Sequence, residues 1–265
     1  MLKIAVLMLI FLFASSFASM FGLGGGILYT PFQIWFGIDF HQAVMTSLFL
    51  IFLTSLSATL VYREHRRIDW VVAFLVEIPT ILGAFAGGIV AKYVSVIALK
   101  YLLIGIIFVA AILMNLDVSK YKIKIFYTSK EKRGLFWVKR KWGDDTIYLF
   151  VPYVVVVMFT VGMVISAVGI SGGALKVPIM TILFGIPIEI SIGSSSFMVG
   201  LTALSGITGH LSHTQIPWKM VLLFAVPVLI GGQIGSRISV NLDRKKAKTY
   251  YSLLLLIVGI VTMVR

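Results

Sequence analysis

The sequence predicts an all-α polytopic membrane protein of two inverted repeats, each a broken-helix or re-entrant hairpin followed by three transmembrane helices. The chain is 59% hydrophobic and only 12% charged, whereas about a quarter of a soluble domain is charged. Its apolar stretches run for about 17 to 25 residues, the length of helix that crosses about 30 Å of hydrocarbon. One glycine-rich decamer also occurs twice, as GLGGGILYTP at 22–31 and as GISGGALKVP at 169–178.

The composition limits the classes of function. The chain has no cysteine, which excludes disulfides, thiol redox relays and cysteine metal sites. Its net charge of +13 fits Lys and Arg held on the cytoplasmic side of a membrane better than nucleic-acid binding. We therefore expect no cofactor, no metal and no nucleic-acid partner.

The two halves of the chain align when the sequence is shifted by 147 or 148 residues. The glycines and the proline of the decamers coincide, and IDW at 68–70 falls on IPW at 216–218. Three further residues meet the same residue types: Pro79, Gly83 and Gly87 fall on Pro227, Gly231 and Gly235. Chance similarity between apolar segments would not keep these residues in phase. The chain therefore divides into a first transmembrane repeat at 1–116, a basic linker at 117–146 and a second transmembrane repeat at 147–265.

The N-terminal residues 1–20 have the features of a signal peptide, with one Lys, an apolar run and then small residues. Their counterpart in the second repeat, 147–165, lies inside the chain and cannot be a leader. We therefore predict that residues 1–20 are a retained membrane segment.

Each repeat contains three spans of ordinary length. We predict them at 42–62, 69–91 and 97–115, and at 190–209, 218–238 and 247–264. The opening runs, 2–36 and 147–184, are too long for one crossing, and each contains a glycine decamer. We predict that each opening run forms a hairpin, either as two crossings or as a re-entrant pair.

The distribution of positive charge predicts the orientation of the chain. With hairpins at both openings, 17 Lys and Arg lie on one side of the membrane and five on the other. Cytoplasmic loops carry the excess of Lys and Arg, so this arrangement is favoured over single crossings, and it makes the two copies inverted. We expect a multi-pass protein of the cell (plasma) membrane, with the basic linker cytoplasmic and the termini extracytoplasmic. The nine Lys and Arg of the linker, mixed with aromatic residues, suit an anionic lipid surface, and a solvated loop fits equally well.

The glycine decamers predict a binding site for a small anion. Unwound backbone inside a bilayer is tolerated only where protein or a water-filled cavity satisfies its polar groups, and glycine allows such a break. The helix that restarts presents N–H groups and a positive dipole end, which together bind anions. The residues concerned are Gly24, Gly25, Gly26, Ser171, Gly172 and Gly173. The alternative is that these glycines only let helices pack closely.

Polar side chains within the apolar spans are further candidates for the site. Hydroxyls follow each glycine decamer by about 20 residues, at Thr46, Ser47, Ser194 and Ser195. They can donate to an anion, or they can cap a helix or join two helices. Lys176 can supply a fixed positive charge to an anion or extend to the membrane interface. Glu77 is a candidate proton carrier, because ionisable residues within spans are costly; local pairing is the alternative.

These motifs resemble the TauE/SafE sulfite exporter-like transporters, also called the TSUP family. The resemblance rests on the decamers, on FGIDFHQAVMTS and FGIPIEISIGSSS after them, and on GAFAGG and GGQIGS later in each repeat. It implies a polytopic transporter of small sulfur-containing anions such as sulfite, sulfoacetate or other organosulfonates. The sequence departs from the family pattern at Ser171, where glycine is preferred, and in its long basic linker.

We expect a secondary transporter that exports such an anion and binds it near the membrane midplane, between the inverted repeats. Its partners would be the small anion and membrane lipids, with a homodimer left open. An anion channel or uniporter is the nearest alternative. An intramembrane serine protease, with Ser171 as nucleophile and His210 as base, is a weaker one, because the first repeat has Gly24 at the matching position. We expect no enzymatic activity.

Overall fold

The computed structural model describes residues 2–90, 127–128, 134–143, 145–168, 172–210 and 215–243, with isolated positions between 105 and 108 and between 245 and 260. The first-repeat helices are α1 (Leu2–Met20), α2 (Gly26–Trp35), α3 (Phe40–Glu64) and α4 (Trp70–Val90). Three strands follow: β1 (Tyr127–Thr128), β2 (Trp137–Trp142) and β3 (Asp145–Phe150). The second-repeat helices are α5 (Val151–Val168), α6 (Gly173–Ile182), α7 (Ile188–His210) and α8 (Trp218–Val240).

Three of the described helices are long and apolar enough to cross a membrane, namely Gln42–Glu64, Ile188–Thr208 and Trp218–Val240. They coincide with three of the predicted spans. The predicted span at 69–91 corresponds to α4, of which the apolar segment Trp70–Ala86 is shorter than these three. The predicted spans at 97–115 and 247–264 lie largely outside the described residues.

The first opening run is broken at its glycines, as the sequence predicts, and in the second a helix starts within the glycine motif. In the first, α1 ends at Met20 and α2 begins at Gly26; in the second, α5 ends at Val168 and α6 begins at Gly173. The restarting helices α2 and α6 have ten residues each. At 1.5 Å per residue, ten residues extend about 15 Å, half the thickness of the hydrocarbon layer.

The chain forms two compact units that differ from the two sequence repeats. The first unit contains residues 1–69 and 192–242, and the second contains residues 70–191 and 243–265. Each unit therefore combines segments from both repeats.

In the first unit, α1 packs closely against α8. A Cβ atom at Gly231 would overlap the backbone carbonyl oxygen of Leu12 and the hydroxyl of Ser15. One at Gly235 would overlap the carbonyl oxygen of Ser16. Glycine is required at these points because the two helix backbones are nearly in contact, as in small-residue interfaces of membrane helices.

In the second unit, α4 and α5 pack in the same manner. A Cβ atom at Gly83 would overlap the carbonyl oxygen of Phe159, and one at Gly162 would overlap the carbonyl oxygen of Thr80. The repeat alignment matches Gly83 with Gly231 and Phe159 with Leu12. The same glycine-to-carbonyl contact is therefore built once in each unit, and each time it joins a helix of one repeat to a helix of the other.

A three-stranded antiparallel sheet with the strand order β1-β3-β2 extends from the linker into the start of the second repeat, so the all-α prediction is wrong in this region. β2 and β3 pair from Trp137 opposite Phe150 to Trp142 opposite Asp145. The membrane run that the sequence placed from residue 147 starts as a strand, and its helix begins only at Val151. Composition did not reveal the strands. A segment rich in Lys and Arg is typical of a solvated loop, but such residues also occur on edge strands, where they prevent pairing with a further strand.

We predict that Gly83→Ala and Gly231→Ala each destabilise the protein, because the added methyl group meets a backbone carbonyl that moves only if two helices separate. Overpacking of a close contact costs about 1–3 kcal/mol, so thermal unfolding of the purified protein in detergent should begin several degrees lower.

Gly206→Ala is the matched control for this prediction. A Cβ atom there would come within 3.1 Å of the end of the Leu48 side chain, which can rotate away. Unfolding of all three variants at the same temperature would contradict the close contacts of α1 with α8 and of α4 with α5.

Candidate functional site

The first glycine break begins with a well-formed end to α1. The N–H of Leu23 donates to the carbonyl of Ala18 at 3.0 Å, and the N–H of Gly22 donates to the carbonyl of Ser19 at 3.3 Å. This is the hydrogen-bond pattern of a Schellman motif, which places a glycine with positive φ just after the helix. Gly22 has the required φ of 68°. The chain therefore leaves the helix with the last carbonyls of α1 satisfied.

Helix α7 covers the break from the second repeat. Ser195 Oγ donates to the carbonyl oxygen of Gly22 at 2.9 Å, and a Cβ atom at Gly22 would lie only 2.5 Å from the carbonyl oxygen of Ile192. At Gly24, a Cβ atom would overlap the side chain of Val199 on α7 and would lie 2.9 Å from Ile51 on α3. The break is thus buried between helices from both repeats, and its glycines are required by close contact as well as by conformation.

The restart of the helix is shaped by Gly25 and Tyr29. Gly25 has a φ of 92°, and a Cβ atom there would overlap the Tyr29 ring. Its carbonyl accepts hydrogen bonds from the N–H groups of Leu28 and Tyr29, at 2.9 and 3.0 Å. These bonds start α2, whose first turn presents N–H groups without partners inside the helix and the positive end of the helix dipole.

A polar network that sequence reasoning missed follows along α2. The buried Gln33 Nε2 donates to Ser47 Oγ at 2.8 Å and to the carbonyl of Tyr29 at 3.1 Å. Thr30 Oγ1 donates to the same Ser47 oxygen at 2.8 Å, and the Tyr29 hydroxyl bonds Thr54 Oγ1 at 2.7 Å. The signal in the sequence was a glutamine inside an apolar run, but its partner on α3 could not be read from spacing.

The predicted hydroxyls have different environments. Ser47 accepts two hydrogen bonds, which use both acceptor positions of its oxygen and leave its own O–H to donate. Ser194 Oγ accepts from the backbone N–H of Asp69 at 3.1 Å, and Ser195 donates to Gly22. These bonds join separate segments of the chain, which is the alternative that the sequence left open. Thr46 differs, since its buried hydroxyl has no hydrogen-bond partner among the described residues.

The second glycine break is described only from Gly172 onward, and Ser171 lies outside the described residues. Gly172 and Gly173 are both buried, and α6 begins at Gly173. Pro178 lies inside α6 and does not end it. The proposed base of the protease alternative, His210, is the last residue of α7.

Lys176 and Glu77 form a buried ion pair in the second unit. Lys176 Nζ lies 2.5 Å from Glu77 Oε2, and the two side chains are 0% and 1% exposed. The lysine therefore does not extend to the membrane interface, which was one of the two alternatives. Removing one partner of such a pair costs about 3–5 kcal/mol, because the other charge is left buried and alone.

Each unit gathers a different part of the predicted site. The first unit contains Gly24, Gly25, Gly26, Thr46, Ser47, Ser194 and Ser195. The second unit contains Gly172, Gly173, Lys176 and Glu77. The first set is neutral and rich in hydrogen-bond donors, whereas the second contains two charges.

Comparison with known proteins decides the family. A family model described as "Sulfite exporter TauE/SafE" matches residues 7–262. The chain belongs to the sulfite exporter TauE/SafE family. Family membership makes the chain a membrane transporter of the TauE/SafE type, embedded in the membrane through several apolar helices.

Relatives of this TauE/SafE chain cover nearly its full length. The "Probable membrane transporter protein YunE" of Bacillus subtilis (strain 168) is 26% identical over 271 residues, which cover 97% of this chain and 96% of that protein. The "Probable membrane transporter protein MJ0441" of Methanocaldococcus jannaschii is 23% identical over 280 residues, which cover 98% of this chain and 95% of that protein. No solved structure matches the chain.

We predict that Gly25→Ala disrupts the first break of this TauE/SafE transporter more than Gly37→Ala does. Both glycines have a positive φ, 92° and 85°, so both variants lose about 1–2 kcal/mol from backbone strain. Only Gly25 would also place its Cβ against the Tyr29 ring, because a Cβ at Gly37 meets nothing within 4 Å. Thermal unfolding in detergent should therefore begin at a lower temperature for Gly25→Ala, and equal values would contradict this packing.

Proposed function

We propose that the chain is a secondary transporter that exports small sulfur-containing anions such as sulfite, sulfoacetate or other organosulfonates. The observation that carries the proposal is the first glycine break, a buried interruption of a membrane helix surrounded by hydrogen-bond donors. The export direction rests on the description of the family, whose model matches residues 7–262.

The hydrogen-bond network beside the first break contains no acidic side chain among the described residues. The network around α2 and α3 is formed by Tyr29, Thr30, Gln33, Ser47 and Thr54, none of which is acidic. The Thr46 hydroxyl, the remaining O–H of Ser47 and the first N–H groups of α2 are the groups that we assign to the anion. Donors fixed in a low-dielectric site bind an anion strongly, because no bulk water competes with them.

We further propose that the anion binds near the membrane midplane between the two sequence repeats. The first break supports this, because α1, α2 and α3 come from the first repeat and α7 comes from the second. The length of α2 supports it as well. A helix of about 15 Å with one end at the membrane surface has its other end near the middle of the hydrocarbon layer. Inverted repeats with broken helices at the midplane are the usual architecture of secondary transporters.

A flux screen in proteoliposomes tests the proposed function. Vesicles containing the purified protein are loaded with sulfite, sulfoacetate, sulfate or taurine, and efflux is followed with and without a pH gradient. We expect sulfite or sulfoacetate to leave faster than from protein-free vesicles, and zwitterionic taurine to be retained. Equal retention of all four compounds would refute the proposal.

Thr46→Val should reduce transport without reducing stability. The substitution removes a hydroxyl that has no partner in the described part of the protein, so folding loses no hydrogen bond. A hydrogen bond to a charged group is worth about 1.5–3 kcal/mol, so the kcat/KM for the anion should fall roughly 10- to 100-fold.

Thr46→Ser is the control for this variant, because it keeps the hydroxyl and removes only a methyl group. We expect Thr46→Ser to transport at nearly the unaltered rate. An equal effect of Thr46→Val and Thr46→Ser would show that the hydroxyl does not bind the anion.

A further inference from the structure

Lys176 and Glu77 each have an uncharged counterpart in the other copy of the repeat. The repeat alignment matches Lys176 with Tyr29 and Glu77 with Ala225. In the first unit, Tyr29 packs edge-on against Phe11, with 5.3 Å between ring centroids, and Phe11 packs against Phe224 at 4.7 Å. Aromatic packing thus fills this place in one copy, so the architecture of the repeat does not require an ion pair there.

The lysine lies close to the start of the helix that follows the second glycine motif. Lys176 is the fourth residue of α6, within the turn that follows the restart at Gly173. The start of a helix carries a positive dipole end, and the ammonium group adds a full positive charge to it. The Glu77 carboxylate holds that charge at 2.5 Å, with both side chains buried. A carboxylate and a sulfur oxyanion are chemically similar ligands for an ammonium group, since both offer negatively charged oxygens.

The other ionisable group on these helices lies away from the pair. Within α4, α5 and α6, the sequence contains three ionisable side chains: Glu77, Tyr153 and Lys176. Thr80 lies next to Gly162 and Gly83 next to Phe159, so α4 and α5 run in opposite directions. This register places Tyr153 about 18 Å along the helix axis from Glu77.

We propose that Lys176 is a second binding position for the transported anion, that Glu77 is the internal competitor of the anion there, and that Glu77 carries one proton with each anion. When the anion binds the ammonium group of Lys176, the Glu77 carboxylate is released and takes a proton from the same aqueous side. When the anion leaves on the other side, Glu77 gives up that proton to water there and pairs with Lys176 again. The site therefore never holds an unpaired buried charge, and a monovalent anion moves without net charge. This inference rests on the proposed function.

Simultaneous measurement of anion and proton flux tests the inference. Proteoliposomes with a pH-sensitive dye inside are given radiolabelled sulfite, or whichever anion of the screen the unaltered protein moves. We expect the unaltered protein to move about one proton per anion. Glu77→Gln should still exchange anion for anion but should move no protons with it, and a pH gradient should no longer drive accumulation. Lys176→Gln should raise the KM for the anion about tenfold or more.

Two controls separate this role from a structural one. Tyr153→Phe should leave the proton-to-anion ratio unchanged. The double variant Glu77→Leu with Lys176→Leu removes both charges together, so it should fold like the unaltered protein but should lose coupled transport. If the double variant, or Glu77→Gln alone, moves anions with the normal proton ratio, the pair is only structural and the inference is overturned.

An infrared difference spectrum provides a readout that is independent of flux. Adding the anion to the purified protein should produce the C=O stretch of a protonated carboxyl group, and Glu77→Gln should lack that band. Anion flux without protons in the unaltered protein would overturn this inference and leave the proposed function standing. Absence of flux for every anion tested would overturn both.

Discussion

The fold depends on one constraint, that backbone polar groups inside a membrane must have partners within the protein. At the first glycine break the chain meets this constraint locally. The carbonyls of Ala18 and Ser19 are satisfied by amides of the break itself, and the carbonyl of Gly22 is satisfied by Ser195 from the second repeat. The carbonyl side of the interruption is therefore closed by the protein. The N–H side, at the start of α2, is the side that the proposed function assigns to the anion.

The two copies of the repeat share a scaffold and differ in chemistry. Glycine contacts with a backbone carbonyl fix one helix pair in each unit, through Gly231 in the first and Gly83 in the second. On this common frame, one copy has Tyr29 in an aromatic cluster and the other has Lys176 paired with Glu77. The two copies keep the glycine contacts that hold their helices together, but they differ at Tyr29 and Lys176. The first unit therefore offers neutral hydrogen-bond donors beside its break, and the second unit contains a buried ion pair.

The sequence predicted the features that depend on neighbouring residues. The break at 21–25 and the start of α6 at Gly173 followed from glycines inside apolar runs, and the spans over α3, α7 and α8 followed from length and hydropathy. Features that depend on distant residues could not be predicted. Glu77 and Lys176 are 99 positions apart, so the sequence allowed two independent roles where the structure shows one pair. Gln33 and Ser47 meet only because α2 folds back on α3, and the strands of the linker were hidden by its charged composition.

We expect water and the anion to reach the buried Thr46 when the transporter opens to one side of the membrane. The chain has no cysteine, so Thr46→Cys introduces a single thiol at a position whose hydroxyl has no partner among the described residues. The decisive measurement is the rate at which N-ethylmaleimide labels this thiol in native membranes, with and without sulfoacetate. The account predicts labelling that sulfoacetate slows in a saturable manner, and no labelling of Leu50→Cys, which lies in the apolar cluster. Labelling of Thr46→Cys that is absent, or that is unaffected by the anion, would contradict it.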